Sequence, residues 1–111
     1  MSQDNDQIRL QHMLDAAKKI IDYTQGKTRQ DLETNEMLSF AILRLLEVVG
    51  EAAKGISKNL RDENPTLPWR QIAGTRDRLI HGYFDVDMDV VWAIVSVDIP
   101  AIIPELERML S

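Results

Sequence analysis

From about Thr34 or Asn35 to Ser57 the chain reads TNEMLSFAILRLLEVVGEAAKGIS, with apolar residues at nearly every helical position. Met37, Leu38, Phe40, Ile42, Leu45, Leu46, Val48, Val49, Ala52 and Ile56 leave only a narrow polar stripe. A helix apolar almost all round must be central, covered by several neighbours or by a partner chain. The stripe itself, Arg44, Glu47, Glu51, Lys54 and Lys58, is spaced three or four apart. It reads either as a solvated face of i,i+3 and i,i+4 ion pairs or as one wall of a cleft.

The rest of the chain agrees with an all-helical reading. There are only five Gly and four Pro, and no stretch alternates with period two. A first helix is expected from about Asp6 to Tyr23, with Ile8, Leu10, Leu14, Ala17 and Ile21 on one face and Gly26 as its stop. Thr28 to Leu32 suits a helical turn. Asn64-Pro65-Thr66-Leu67-Pro68 is the clearest break, and Pro68 suits the first turn of a helix from Trp69 to about His81, ended by Gly82. A last helix from about Asp87 to Leu110, capped by Asp85 or Asp87, buries Met88, Val91, Trp92, Val95, Ile99, Ile102, Leu106 and Met109. Pro100 and Pro104 predict a kink near Ser96 to Pro100. The expected architecture is all-α, one domain over residues 1–111, an antiparallel bundle of four to five helices.

Composition narrows the function classes. With 44% apolar and 28% charged residues, the 111-residue chain has globular composition and is long enough for a single core. It contains no cysteine, which removes disulfides, thiolate metal sites and cysteine nucleophiles. No apolar run reaches the roughly 20 residues that cross a bilayer. The start, MSQDNDQIRL, lacks the basic character of a targeting peptide, so a cytoplasmic protein without a membrane is expected. The net charge of −5 opposes nonspecific attraction to nucleic acid, although cations gather at Lys54, Lys58, Arg61, Arg70, Arg76 and Arg78.

One segment stands apart from ordinary helix patterning: Arg76-Asp77-Arg78-Leu79-Ile80-His81-Gly82-Tyr83-Phe84. Projected at roughly 100° per residue from Trp69, Arg76 falls near the centre of an apolar face with Ile72, Ala73, Leu79 and Ile80. A guanidinium there must pair with an acid such as Glu47 or Glu51, snorkel to water, or face a wet seam between two protomers. His81 lies about 140° further round and, before Gly82, also reads as a helix-end cap. Asp85-x-Asp87-x-Asp89 is similar to the start of a calcium loop, but it lacks the loop's glycine and final glutamate and reads as helix capping. His12 reads as a surface residue of the first helix, and two distant histidines without cysteine do not make a zinc site; no metal or cofactor is expected.

Arg76-x4-His81-Gly82-Tyr83 resembles the Arg-x4-His-x-Tyr motif of HepT-like proteins in the HEPN superfamily, with Asp77 as the small polar residue after the arginine. Leu43 to Lys54 resembles that family's central helix, and Pro68 to Gly74 and Phe84 to Trp92 resemble the segments flanking its motif. The likeness covers Ile8 to Leu110. It implies a HEPN-like homodimer bringing two motifs to one cleft, acting as a metal-independent endoribonuclease or tRNA-end nuclease on RNA, not DNA. It further implies the toxin of a toxin–antitoxin pair whose MNT-type nucleotidyltransferase antitoxin attaches AMP to the motif tyrosine. Carried onto this chain, Arg76 and His81 become catalytic, Asp77 supporting, and Tyr83 the AMPylation site. The rival reading is a non-catalytic dimeric helical module, binding a nucleotide or a partner protein, in which Arg76 is a structural ion-pair partner.

Overall fold

The computed structural model describes residues 3–79 and 85–111. Helix α1 spans Gln3–Thr24, α2 Arg29–Thr34, α3 Glu36–Lys54, α4 Lys58–Glu63, α5 Trp69–Ala73 and α6 Thr75–Leu79. Further along, α7 (Met88–Ala93) runs through a π-turn (Ile94–Asp98) into α8 (Ile99–Leu110). The fold is all-α, as expected. Its extents are 42 × 30 × 20 Å, so the thinnest direction is about two helix diameters.

Each early boundary has a local cause. Gly26 adopts a left-handed φ of 73° two residues beyond the end of α1, where a side chain would be strained. Thr28 and Asp31 form a capping box that starts α2. The Asn35 side chain accepts from Leu38 N–H at 3.1 Å and starts α3.

Helix α3 packs against α1 and α5, while α1 also packs on α8. Ile42, Leu46 and Val49 of α3 meet Leu10, Met13, Ala17 and Ile20 of α1 and Ile102 and Leu106 of α8 in one buried core. At Gly50 the α5 backbone comes close to α3: a Cβ there would lie 3.2 Å from the Ile72 carbonyl oxygen.

Three expectations need correction. The central helix stops at Gly55, short of Ser57. Ser57 instead caps α4, an element periodicity did not reveal, and its N–H and hydroxyl donate to buried Asp6 at 2.9 and 2.6 Å. Within one chain α3 is not covered all round: Met37 is 83% and Phe40 63% exposed, so of the two expected covers only the partner-chain one is left for that face. On α1, Ile8 is 53% exposed, because the core face runs through Leu10, Met13, Leu14 and Ala17.

The expected kink in the last helix is the π-turn. Pro100 has no N–H to offer the Ser96 carbonyl, so the helical ladder slips by one residue and Ile99 N–H reaches back to Ile94. Val91, Val95, Ile99, Ile102 and Leu106 are buried as expected, and Ile94 joins them through the extra residue of the turn.

Candidate functional site

The helix expected from Trp69 to His81 is two helices in the described region. At Gly74 the backbone takes ψ 12°, far from the helical value of about −42°. Thr75 then turns its hydroxyl back onto the carbonyls of Ile72 (2.7 Å) and Gln71 (3.3 Å). Glycine is a poor helix former, and a threonine bonding to the preceding turn bends a helix. The two together separate α5 from α6.

That break overturns the expected position of Arg76. A projection through a continuous helix puts it at the centre of an apolar face; once the turn at Gly74 is inserted, Thr75 and Leu79 are buried and Arg76 is exposed. The guanidinium therefore has no burial penalty to offset. Its neighbours around a hollow of about 30 Å³ are Leu43 and Glu47 of α3, with Thr75 and Leu79. The hollow is too small to enclose a nucleotide, so any substrate lies across the surface.

Neither acid suggested as a partner holds Arg76. Glu47 is bonded to Arg44, and Glu51 to Lys54 at 3.3 Å. Among the described residues Arg76 forms no ion pair. The polar stripe of α3 is thus largely a face of i,i+3 pairs, with Glu47 also bordering the Arg76 hollow. Asp77 is exposed in the first turn of α6. His81, Gly82 and Tyr83 lie outside the described residues.

The two ends of that interval are tied together. Asp87 N–H donates to the Leu79 carbonyl at 2.9 Å, and the Asp87 carboxylate accepts from the N–H groups of Asp89 and Val90 to start α7. Asp87 is therefore a helix cap, in agreement with its place in the sequence. Asp89 in turn takes the Arg29 guanidinium, which also pairs with Glu33 at 3.0 Å. Hydrogen bonds that Arg29 donates to Asp89 and then to Glu33 raise its pKa above the ordinary arginine value.

Sequence reasoning missed a second surface. A groove of about 410 Å³ between α1 and α3 is bordered by Ile8, Arg9, His12, Arg44, Val48 and Glu51. His12 is exposed as expected, but it stands beside two arginines. The Arg9 Nη1 atom is buried without a hydrogen-bond partner among the described residues. No periodicity marks Arg9, because its setting depends on how α1 lies over Gly55.

Comparison with known proteins places the chain that carries this geometry. The family described as "Ribonuclease HepT-like" matches residues 13–109. A candidate RNase of Methanocaldococcus jannaschii is 36% identical over 98 residues, covering 88% of this chain and 90% of its own. A protein of Thermococcus cleftensis named "Probable ribonuclease HepT" is 36% identical over 100 residues, 90% of this chain and 91% of its own. A candidate RNase of Caldanaerobacter subterraneus subsp. tengcongensis is 34% identical over 102 residues, 92% of this chain and 91% of its own. No solved structure matches the chain.

Proposed function

Because the chain belongs to the HepT-like ribonuclease family, we propose that it cleaves RNA without a metal, with Arg76 on the phosphate and His81 in proton transfer. One observation carries the assignment of Arg76: in a chain with 18 acidic residues, its guanidinium is exposed and unpaired among the described residues. The rival reading, in which Arg76 is a structural ion-pair partner, lacks a carboxylate to hold it among the described residues.

The chemistry suits those side chains. In such a cleavage the ribose 2′-oxygen attacks the adjacent phosphorus, the P–O5′ bond breaks, and the 5′-oxygen leaves with a proton. An imidazole, titrating ordinarily near pH ~6.5, can take the first proton or supply the second. A guanidinium supplies forked hydrogen bonds to phosphate oxygens as negative charge builds in the phosphorane. One His81 per chain provides half of an acid/base pair, and a two-fold dimer provides both halves. Asp77, next to Arg76, is a supporting residue.

The homodimer contact fits best on the α1–α3 face. Met37, Phe40 and Ile8 expose their apolar side chains there, and the orphaned Arg9 Nη1 lies buried in the same groove. Arg9, Arg44 and Lys54 alternate with Glu47 and Glu51, so the face can meet its own two-fold copy with opposite charges opposed.

In this reading the protein is a single-domain cytoplasmic toxin. Its partner is an MNT-type nucleotidyltransferase antitoxin that attaches AMP to Tyr83, putting bulk and negative charge where RNA phosphate must lie. Arg76→Ala and His81→Ala should each lower RNA cleavage by at least about 10²-fold and relieve growth inhibition, with helical circular dichroism unchanged; wild-type cleavage by both variants overturns the assignment. Co-expression with the nucleotidyltransferase should add AMP to the Tyr83 peptide by mass spectrometry. An unmodified peptide removes the AMPylation step but leaves the nuclease.

A further inference from the structure

On the other flank of α6 from Arg76 lies a cavity of about 240 Å³ that the nuclease reading does not use. Its floor is aliphatic: Leu46 and Val49 of α3, Ile72 of α5, Ile94 of the π-turn and Ile102 of α8, all buried. It opens to solvent, so it is a surface pocket and not an interior void, and its aliphatic floor has no polar side-chain group to hold water. Two irregular elements border it, the π-turn and the junction of α5 with α6. Single π-turns inside helices recur at functional sites.

The mouth is charged with both signs. Arg78 and Asp98 face each other at 3.7 Å, beyond hydrogen-bond length, with side chains 40% and 47% exposed. A pair so open to water contributes little and opens readily. Glu105, also at the rim, is already held by Arg108 at 2.8 and 3.0 Å. Among the described residues, the charged groups left to receive a ligand are one guanidinium and one carboxylate, with the neutral side chains of Thr66 and Gln71 also lining the space above the aliphatic floor.

We propose that this cavity binds a free hydrophobic α-amino acid. The ligand carboxylate takes the forked donors of Arg78, its ammonium takes Asp98, and its branched or thioether side chain fills the space over Ile72, Ile94 and Ile102. An apolar carboxylate satisfies only Arg78, an apolar amine only Asp98, and a hydrocarbon neither. The zwitterion is the one class that answers both charges and the floor at once. The site is independent of the nuclease assignment, since it uses neither Arg76 nor His81.

Calorimetric titration of the whole protein with L-leucine, L-isoleucine and L-methionine tests this. Saturable binding is expected for at least one of them, at least tenfold tighter than 4-methylpentanoate or 3-methylbutylamine, with L-alanine not binding. Arg78→Gln and Asp98→Asn should each weaken binding at least tenfold, and Val49→Phe should abolish it by filling the floor. The ligand comparisons use the unmutated protein, so a misfolded variant does not blunt the test. No saturable binding of any of the three, or equal binding of 4-methylpentanoate, overturns the proposal. So does full binding by Asp98→Asn. None of those outcomes touches RNA cleavage.

Discussion

Helices α1, α3 and α8 run 22, 19 and 12 residues, whereas the chain between Trp69 and Asp98 never holds one helical geometry for more than six described residues. The long helices hold the bulk of the core and carry most of their exposed charge in i,i+3 and i,i+4 pairs or against solvent. The short ones carry Arg76, Arg78 and Asp98, and each of the two hollows beside α6 opens between them and α3. A continuous helix gives every side chain a direction set by its neighbours. Arg76 and Arg78 point about 200° apart, as residues i and i+2 do on any helix, and the break at Gly74 sets which flank of α6 each one meets.

The contrast can be broken most forcefully in the scaffold. Ile42 is fully buried, so Ile42→Ala should cost about 2–5 kcal/mol, read as a lowered denaturation midpoint. Arg76→Ala should do the reverse. Being exposed, the residue should leave stability within about 0.5 kcal/mol, while RNA cleavage falls by about 10²–10³ if its guanidinium supports the phosphorane. A large stability loss with intact cleavage would return Arg76 to a structural role.

The joint between the two regions is Gly50. Alanine there gains helix propensity of about 1 kcal/mol but presses its Cβ to 3.2 Å from the Ile72 carbonyl, which is backbone and also holds Thr75. Overpacking costs of about 1–3 kcal/mol should prevail, for a net loss of about 1 kcal/mol in chemical denaturation. A stabilised Gly50→Ala protein would mean α5 shifts freely. Asn35→Ala, which removes the cap of α3, should cost about 1 kcal/mol in thermal unfolding. The smallest effect is the coupling between Arg44 and Glu47, about 0.3–0.5 kcal/mol in a double-mutant cycle and weaker in high salt.

Much of the fold is legible in the sequence wherever the physics is local. The start of α3 at Asn35, the stop at Gly26, the cap at Asp87 and the kink before Pro100 come from side-chain hydrogen bonds or from a missing N–H within one turn. Arg76 stands out in the sequence for the wrong geometric reason. Its charge makes it conspicuous, but the projection assumes a helix that Gly74 and Thr75 interrupt. The pairing of Glu47 with Arg44, not with Arg76, cannot be chosen from spacing alone, because both arginines are within plausible reach.

Taken alone, the amino-acid order determined an all-helical chain, the identity of its long helices and a likeness to the family the chain belongs to, because periodicity, caps and residue spacing are properties of neighbours in sequence. Tertiary structure decided which faces stay bare. Whether Ile8, Met37 and Phe40 meet water, whether Arg9 Nη1 finds an acceptor, and whether a cavity opens beneath Arg78 and Asp98 depend on how distant helices seat against one another. That seating is set by close approaches such as Gly50 on Ile72, a distance between residues 22 positions apart that no local pattern encodes.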